Sequence, residues 1–165
     1  LPALLATRNK RIAIAPDLIV ADLARLQAAL EKGPEDGLRL IGRRHIRDMN
    51  SWLHNLNNYA RGRNRCTLLI NPQDAQRIGL RDDGMATVKS RVGEFRAQVS
   101  ITDRIMPGVV SLPHGFGHTY QDTQQSVASS LTPGISANDL VDDNELDLPS
   151  GTSVVNGVPV AVLPA

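Results

Sequence analysis

Residues 66–101 read CTLLINPQDAQRIGLRDDGMATVKSRVGEFRAQVSI, and this stretch decides the fold. Cys66 to Ile70 is a short, wholly apolar run suited to a strand buried on both faces. Asn71-Pro72 is a helix start, with Asn as the cap and Pro at the first helical position, where its missing N–H costs nothing. The helix stops at Gly79, a residue suited to a left-handed C-cap. Asp82-Asp83-Gly84 turns into a second strand, Met85–Ser90. Val92-Gly93-Glu94 then turns into a third, Phe95–Ile101, so the last two strands form a β-hairpin. Strand, short helix and hairpin follow one another with almost no linker.

Working outward, Leu38–Ile41 is another short strand, ending at Gly42-Arg43-Arg44, and Pro107-Gly108 precedes Val109–Leu112. Val154-Val155 and Val158–Val162 close the chain as a last strand, broken near Gly157 and Pro159. Six or so short strands with one small helix predict a closed β-barrel, because closure hides edges that short strands would expose. Thr119–Ala137 is a long polar stretch rich in Ser, Gln and Thr and reads as a loop. Ahead of the barrel, Leu18, Ile19, Leu23, Leu26 and Leu30 make an amphipathic stripe over Asp17–Lys32. Pro16 stands before it and Gly33-Pro34 after it, and Gly33–Gly37 reads as a linker. One helix cannot bury its own apolar face, so residues 1–36 are expected to be the tail of a preceding domain plus a linker, and 37–165 the barrel domain.

Composition narrows the function. With 165 residues and 41% hydrophobic content the chain can bury a core, and its single cysteine, Cys66, excludes a disulfide framework or a Cys-rich metal site of its own. No apolar run is long enough to span a bilayer. All 18 Lys and Arg lie at or before Arg104, where they meet 11 acids, while the remaining residues hold six acids and no Lys or Arg. Seven arginines between Arg39 and Arg65 face only Asp48. Such a segment is either a solvated basic face or a site for a phosphate-bearing ligand, since the guanidinium fork matches phosphate oxygens.

Two polar clusters flank the predicted strands. Arg43-Arg44-His45 and Asn50-Ser51-Trp52-Leu53-His54 follow the first strand; Asn and Ser suit a heterocycle edge or a phosphate. Trp52 would either stack on a ring or anchor the core. His114-Gly115-Phe116-Gly117-His118 follows Val109–Leu112, and its glycines would let backbone N–H groups approach a ligand or would simply form a tight loop. They argue against a helix presenting both imidazoles to a metal. Cys66 reads as an inert core residue, and Asp82-Asp83 and Asp142-Asp143 as solvated turns. No catalytic triad or carboxylate pair stands out. A binding domain for an anionic heterocyclic ligand fits better than a self-sufficient catalyst.

The ordered series of motifs resembles the C-terminal domain of the molybdopterin oxidoreductases, the family of formate dehydrogenases, nitrate reductases and dimethyl sulfoxide reductases. It runs from Leu40-Ile41-Gly42-Arg43 through Asn50-Ser51, Asn71-Pro72-Gln73-Asp74-Ala75, Gly79-Leu80 and Asp83-Gly84. It continues with Val99-Ser100-Ile101-Thr102-Asp103, Pro107–Val110, Pro113–Phe116, Asn138–Asp142 and Ser150-Gly151. The resemblance implies a mainly β fold, a double-psi β-barrel with a few short helices, preceded by an amphipathic helix from the neighbouring domain. It implies a domain that caps a bis(molybdopterin guanine dinucleotide) cofactor carrying molybdenum or tungsten, shared with other domains of the parent enzyme. Gly42, Arg43, Asn50, Ser51, His114, Gly115, Asn138 and Asn156 would contact the cofactor, with Arg44, Trp52 and His54 nearby. Several relatives carry Lys where Asn156 stands, and the Thr119–Ala137 loop is longer than in nitrate reductases.

On the same resemblance the metal ligand, and any iron–sulfur cluster, lie in earlier domains, so the chain is expected to be an excised fragment, inactive alone. Its expected partners are the remaining domains of the parent and an electron-transfer subunit, not nucleic acid or membrane, and a cytoplasmic rather than periplasmic setting is expected. The alternatives are a stand-alone double-psi barrel acting as a binding or interaction module and a nucleic-acid-binding domain using the arginine-rich segment.

Overall fold

The hairpin and helix read from residues 66–101 are present, and they form one side of a closed barrel. The computed structural model describes residues 2–33 and 36–165. Pro34 and Glu35, the middle of the expected linker, and Leu1 lie outside the described residues. The barrel strands are β1 (Leu38–Arg43), β2 (Thr67–Ile70), β3 (Met85–Lys89), β4 (Glu94–Ile101), β5 (Val109–Pro113) and β6 (Val158–Pro164). They close in the order β1-β5-β2-β4-β3-β6. Two neighbouring pairs are parallel, β1 with β5 (Leu40 opposite Val110) and β2 with β4 (Leu68 opposite Val99); the other four are antiparallel. A closed six-stranded barrel whose parallel neighbours are joined by crossovers is the double-psi β-barrel expected from the motif series.

Alternation fills the barrel. Leu38 and Leu40, Leu68 and Ile70, Ala86 and Val88, Ala97 and Val99, Val110 and Leu112, and Val158, Val160 and Val162 are all buried in one cluster. Each strand thus contributes every second side chain to the interior. Each large aliphatic contributes about 1.5–3 kcal/mol of burial, and Leu68→Ala would cost about 2–5 kcal/mol because the site cannot collapse around the void. The helix between β2 and β3 begins as read: the Asn71 side chain accepts the Gln73 N–H at 2.9 Å, and Gly79 adopts φ +82° at the C-cap. Asp74 on that helix is buried and accepts the Gly108 N–H at 2.7 Å, which ties the helix to the turn entering β5.

The chain divides into two compact units: the N-terminal segment to Asp36 with Leu146–Thr152, and Gly37–Glu145 with Ser153–Ala165. In the first, the Asp17–Lys32 stripe is two helices, Asp17–Ala21 and Leu23–Lys32, interrupted at Asp22, where Arg25 forms a bidentate pair with the Asp22 carboxylate. Its leucines are exposed. Among the described residues no helix is long and apolar enough to cross a membrane.

Three expectations need correction. The polar stretch 119–137 contains a helix, Ser126–Leu131, because Asn55 Oδ1 accepts the Val127 and Ala128 N–H groups at 3.0 and 3.1 Å and caps it from far away in sequence. Val154-Val155 are not part of the last strand, which starts at Val158; the Gly157 N–H instead bonds the Leu40 carbonyl at 2.8 Å. Asp142 is not a solvated turn residue: it is buried, accepts the Asn144 N–H at 2.9 Å and is ion-paired with Arg91.

Candidate functional site

The site lies at the β1 and β5 ends of the barrel. Strand β1 ends at Gly42-Arg43 and its parallel partner β5 ends at Leu112-Pro113, register neighbours of those two residues. The segments leaving both strands therefore emerge side by side, and the His114 N–H bonds the Arg43 carbonyl at 3.2 Å. Two adjoining cavities open there. One, of about 290 Å³, is lined by Gly42, Arg43, Arg44, His114, Asn138 and Asn156 among others. The other, of about 560 Å³, is lined by Ser51, His114, Gly115, His118, Gln124, Gln125 and Asn138 among others. They share His114, Ala137 and Asn138.

Each wall has a local cause. The Asn156 side chain accepts the Gly42 N–H at 2.7 Å, and a Cβ at Gly42 would sit 3.5 Å from that same oxygen. Met49, Asn50 and Ser51 carry φ of +44°, +56° and +87°, three consecutive non-glycine residues in the left-handed region. Such backbone costs about 1–3 kcal/mol per residue and persists only where the surroundings impose it. Gly115 packs closely against this segment: at φ +89°, a Cβ built on it would be 3.1 Å from Ser51 N. Arg44 donates to Asn50 Oδ1, joining the two polar clusters directly. Asn138 stands on the 3₁₀ turn Ala137–Leu140, anchored by buried Leu140 and by the Tyr120 hydroxyl, which donates to the Asp139 carboxylate.

Gly42, Arg43, Arg44, Ser51, His114, Gly115, Asn138 and Asn156 thus line one pair of cavities, with Asn50 held against them. Arg43 is there with its guanidinium turned away. It donates to Ser111 O at 2.6 Å, Thr67 O at 2.7 Å and Arg65 O at 3.2 Å, inside the end of the barrel. Burial pushes its pKa down to about 10, and the charge stays on because these acceptors and the Asp48 carboxylate favour it. Arg44 is the cation left at the rim. Trp52 is 78% exposed and lines neither cavity, so it is no core anchor. Cys66 is buried as expected, and burial raises its pKa.

Sequence reasoning missed a group beneath the site. Asp48, His54 and His118 are buried side by side, with His54 fully so. His54 Nε2 lies 3.2 Å from Asp48 Oδ1, Arg65 Nε donates to the same oxygen at 2.9 Å, and His54 Nδ1 is 2.7 Å from His118 Nε2. Phe116 packs on the His54 ring, with centroids 4.4 Å apart. His54 and His118 each stood in a polar cluster of the sequence, and Asp48 was the single acid in the arginine-rich stretch, but nothing local joined the three.

A large bound group with heterocyclic edges and phosphates fits this lining. Glycines at positions 42 and 115 let main chain form the wall, the Asn138, Asn156, Gln124 and Gln125 amides offer both donors and acceptors, and Arg44 supplies positive charge. No side chain of the site is arranged as a nucleophile with a base.

Residues 38–159 match the family model described as Molydopterin dinucleotide binding domain. One chain of the tetrathionate reductase of Salmonella typhimurium is 32% identical over 109 residues, covering 56% of this chain and 11% of that protein. The residues described here thus correspond to about a tenth of the length of that relative. Among solved structures, acetylene hydratase from Pelobacter acetylenicus superposes with a TM-score of 0.57 at 16% identity, covering 94% of this chain and 21% of that one, which is a likeness of fold.

Proposed function

Because the chain belongs to the Molydopterin dinucleotide binding domain family, we propose that its two adjoining cavities hold one end of a bis(molybdopterin guanine dinucleotide) cofactor and cap it within a larger oxidoreductase. The observation that carries this is the convergence of Gly42, Ser51, His114, Gly115, Asn138 and Asn156, from separate segments of the chain, on one continuous lining. The bound cofactor, with molybdenum or tungsten, supplies two-electron redox chemistry; the protein supplies placement and electrostatics. Asn138, common to both cavities, would pair with a heterocycle edge through its amide, and Ser51 and the Gly115 main chain would close around it. Arg44 would offset phosphate charge at the rim, where a charge-assisted bond to an oxyanion is about twice as strong as a neutral one. Arg43 would hold the end of β1 in place without touching the cofactor.

The remaining domains of the parent enzyme would supply the metal ligand and the other face of the cofactor, and an electron-transfer subunit would exchange electrons with it. On this reading the 165 residues are inactive by themselves. The full natural gene product, purified and assayed for molybdenum, tungsten and extractable pterin, tests the proposal: about two pterin dinucleotides per metal are expected. A product free of metal and pterin would overturn it in favour of a binding module built on the same barrel.

A further inference from the structure

A third cavity, of about 530 Å³, lies outside the binding scheme and shares only Phe116 with the two already described. Its floor follows from strand register. On β4, Ala97 and Val99 point into the barrel, so Arg96 and Gln98 face outward. Gln98 pairs with Met85 on β3 and with Thr67 on β2, so the Arg63–Cys66 segment leading into β2 runs alongside Arg96. The wall is the 131–135 segment, fixed at three points. Pro133 O accepts the Gly117 and His118 N–H groups at 3.1 and 2.8 Å, and the Ile135 N–H meets Cys66 Sγ at 3.4 Å. Gly134 packs so closely on Phe116 that a Cβ would lie 2.5 Å from its ring. The cavity is therefore preformed, and a ligand entering it has little loop to order.

Three arginines line this cavity. Arg65 is committed, its Nε donating to the Asp48 carboxylate at 2.9 Å. Arg63 and Arg96 are exposed and have no hydrogen-bond or ion-pair partner among the described residues. The one acid in the lining, Asp83, accepts the Gln98 amide at 3.3 Å, and Gln98 accepts from Asn64 at 2.8 Å. Two free cations thus face one carboxylate already in use, beside an apolar wall of Met85, Leu131, Pro133 and Ile135. We propose that this cavity binds a small organic phosphate, its oxyanion held by Arg63 and Arg96 and its apolar body resting on Met85, Leu131 and Ile135. Two guanidinium forks match the oxygens of a dianion, whereas a carboxylate occupies one fork. The volume is in the range of small-molecule sites and exceeds what a bare phosphate fills. The site does not rest on the cofactor reading.

The test is amide NMR of this chain titrated with phenyl phosphate and, separately, with inorganic phosphate. Phenyl phosphate should shift the Ala97, Gly134 and Ile135 amides, leave Gly42 and Asn156 still, and bind more tightly than inorganic phosphate. Arg63→Gln and Arg96→Gln, both at exposed positions, should each weaken it about tenfold, and Asp83→Asn should tighten it. Shifts spread over the whole Arg39–Arg65 segment would mean a basic face and no site. Absence of binding, equal affinity for the two probes, or an unchanged affinity in a folded Arg96→Gln variant would equally overturn the proposal. The cofactor's own phosphates are a second source of the same chemistry, and the full natural gene product separates the two. In cofactor-loaded protein, phenyl phosphate should still shield Arg63 and Arg96, but not Arg104, from phenylglyoxal, as read by mass spectrometry. Loss of that shielding on loading would overturn a separate site. A product without pterin that keeps the shielding would sink the cofactor reading and leave this site standing.

Discussion

Gly93→Ala isolates a contact on which the site depends from a distance. Gly93 lies in the β3–β4 turn, and a Cβ built there would meet the Asp139 carbonyl oxygen at 2.1 Å. Ordinary contact begins at 3.4 Å, so one segment must retreat by more than an ångström. The glycine is not among the residues with positive φ, so alanine brings no backbone strain and the whole effect is steric. The obstacle is main chain, and the segment that carries it also carries Asn138, between buried Leu140 and the Tyr120–Asp139 bond. Overpacking of this kind costs about 1–3 kcal/mol. At this chain length that corresponds to a fall in Tm of about 2–12 °C. Thermal unfolding by circular dichroism gives the fall, and amide NMR shifts give its location: Asn138 should move although residue 93 touches neither cavity. An unchanged Tm together with an unmoved Asn138 amide would refute the reasoning, since it would mean that the 3₁₀ turn is not held by the hairpin.

Other outcomes follow from individual contacts. Arg43→Met should destabilise the protein by about 1–3 kcal/mol in urea unfolding, because it strands carbonyls of Ser111, Thr67 and Arg65; Arg43→Lys, lacking the fork, should recover only part. Asn156→Ala should speed hydrogen exchange at the Gly42 amide, with a stability change near ~1 kcal/mol or less, since the lost bond is exposed. Burial and the neighbouring His54 lower the His118 pKa below its usual 6.5. Below that pH the unfolded chain takes up the proton before the folded one, so the His118 contribution to stability is complete above pH 6.5 and is lost as pH falls through it. Urea midpoints at descending pH check this, and His118→Gln should flatten the slope. Buried Cys66, its pKa raised, should react with iodoacetamide only on unfolding.

How much of this was legible in the sequence depends on how local each cause is. The Asn71-Pro72 cap, the Gly79 stop and the 85–101 hairpin were readable because each is decided within a few residues. The cavity lining was readable only through the order of motifs, since Gly42 and Asn156 meet across more than a hundred residues. The left-handed run at Met49–Ser51 has no signature in residues that ordinarily avoid it, and Gly115, which packs against it, comes from another strand end. The Ser126–Leu131 helix was hidden because Asn55 supplies its cap. Two charged side chains have partners that the local sequence does not show. Arg43 sits in a basic stretch yet spends its guanidinium on the barrel, and Asp142 sits in an acidic turn yet is buried against Arg91. The His54–His118 contact joins residues 64 positions apart, and periodicity carries no trace of such a pair.

The central claim is that the lining of these two cavities is where the cofactor dinucleotide rests. Hydrogen exchange on the full natural gene product, compared between cofactor-loaded and cofactor-stripped protein, tests it most directly. Loading should slow exchange at Gly42, Ser51, Gly115, Asn138 and Asn156 together and leave the β3–β4 turn unchanged. Equal exchange at all five positions in the two forms would contradict the account.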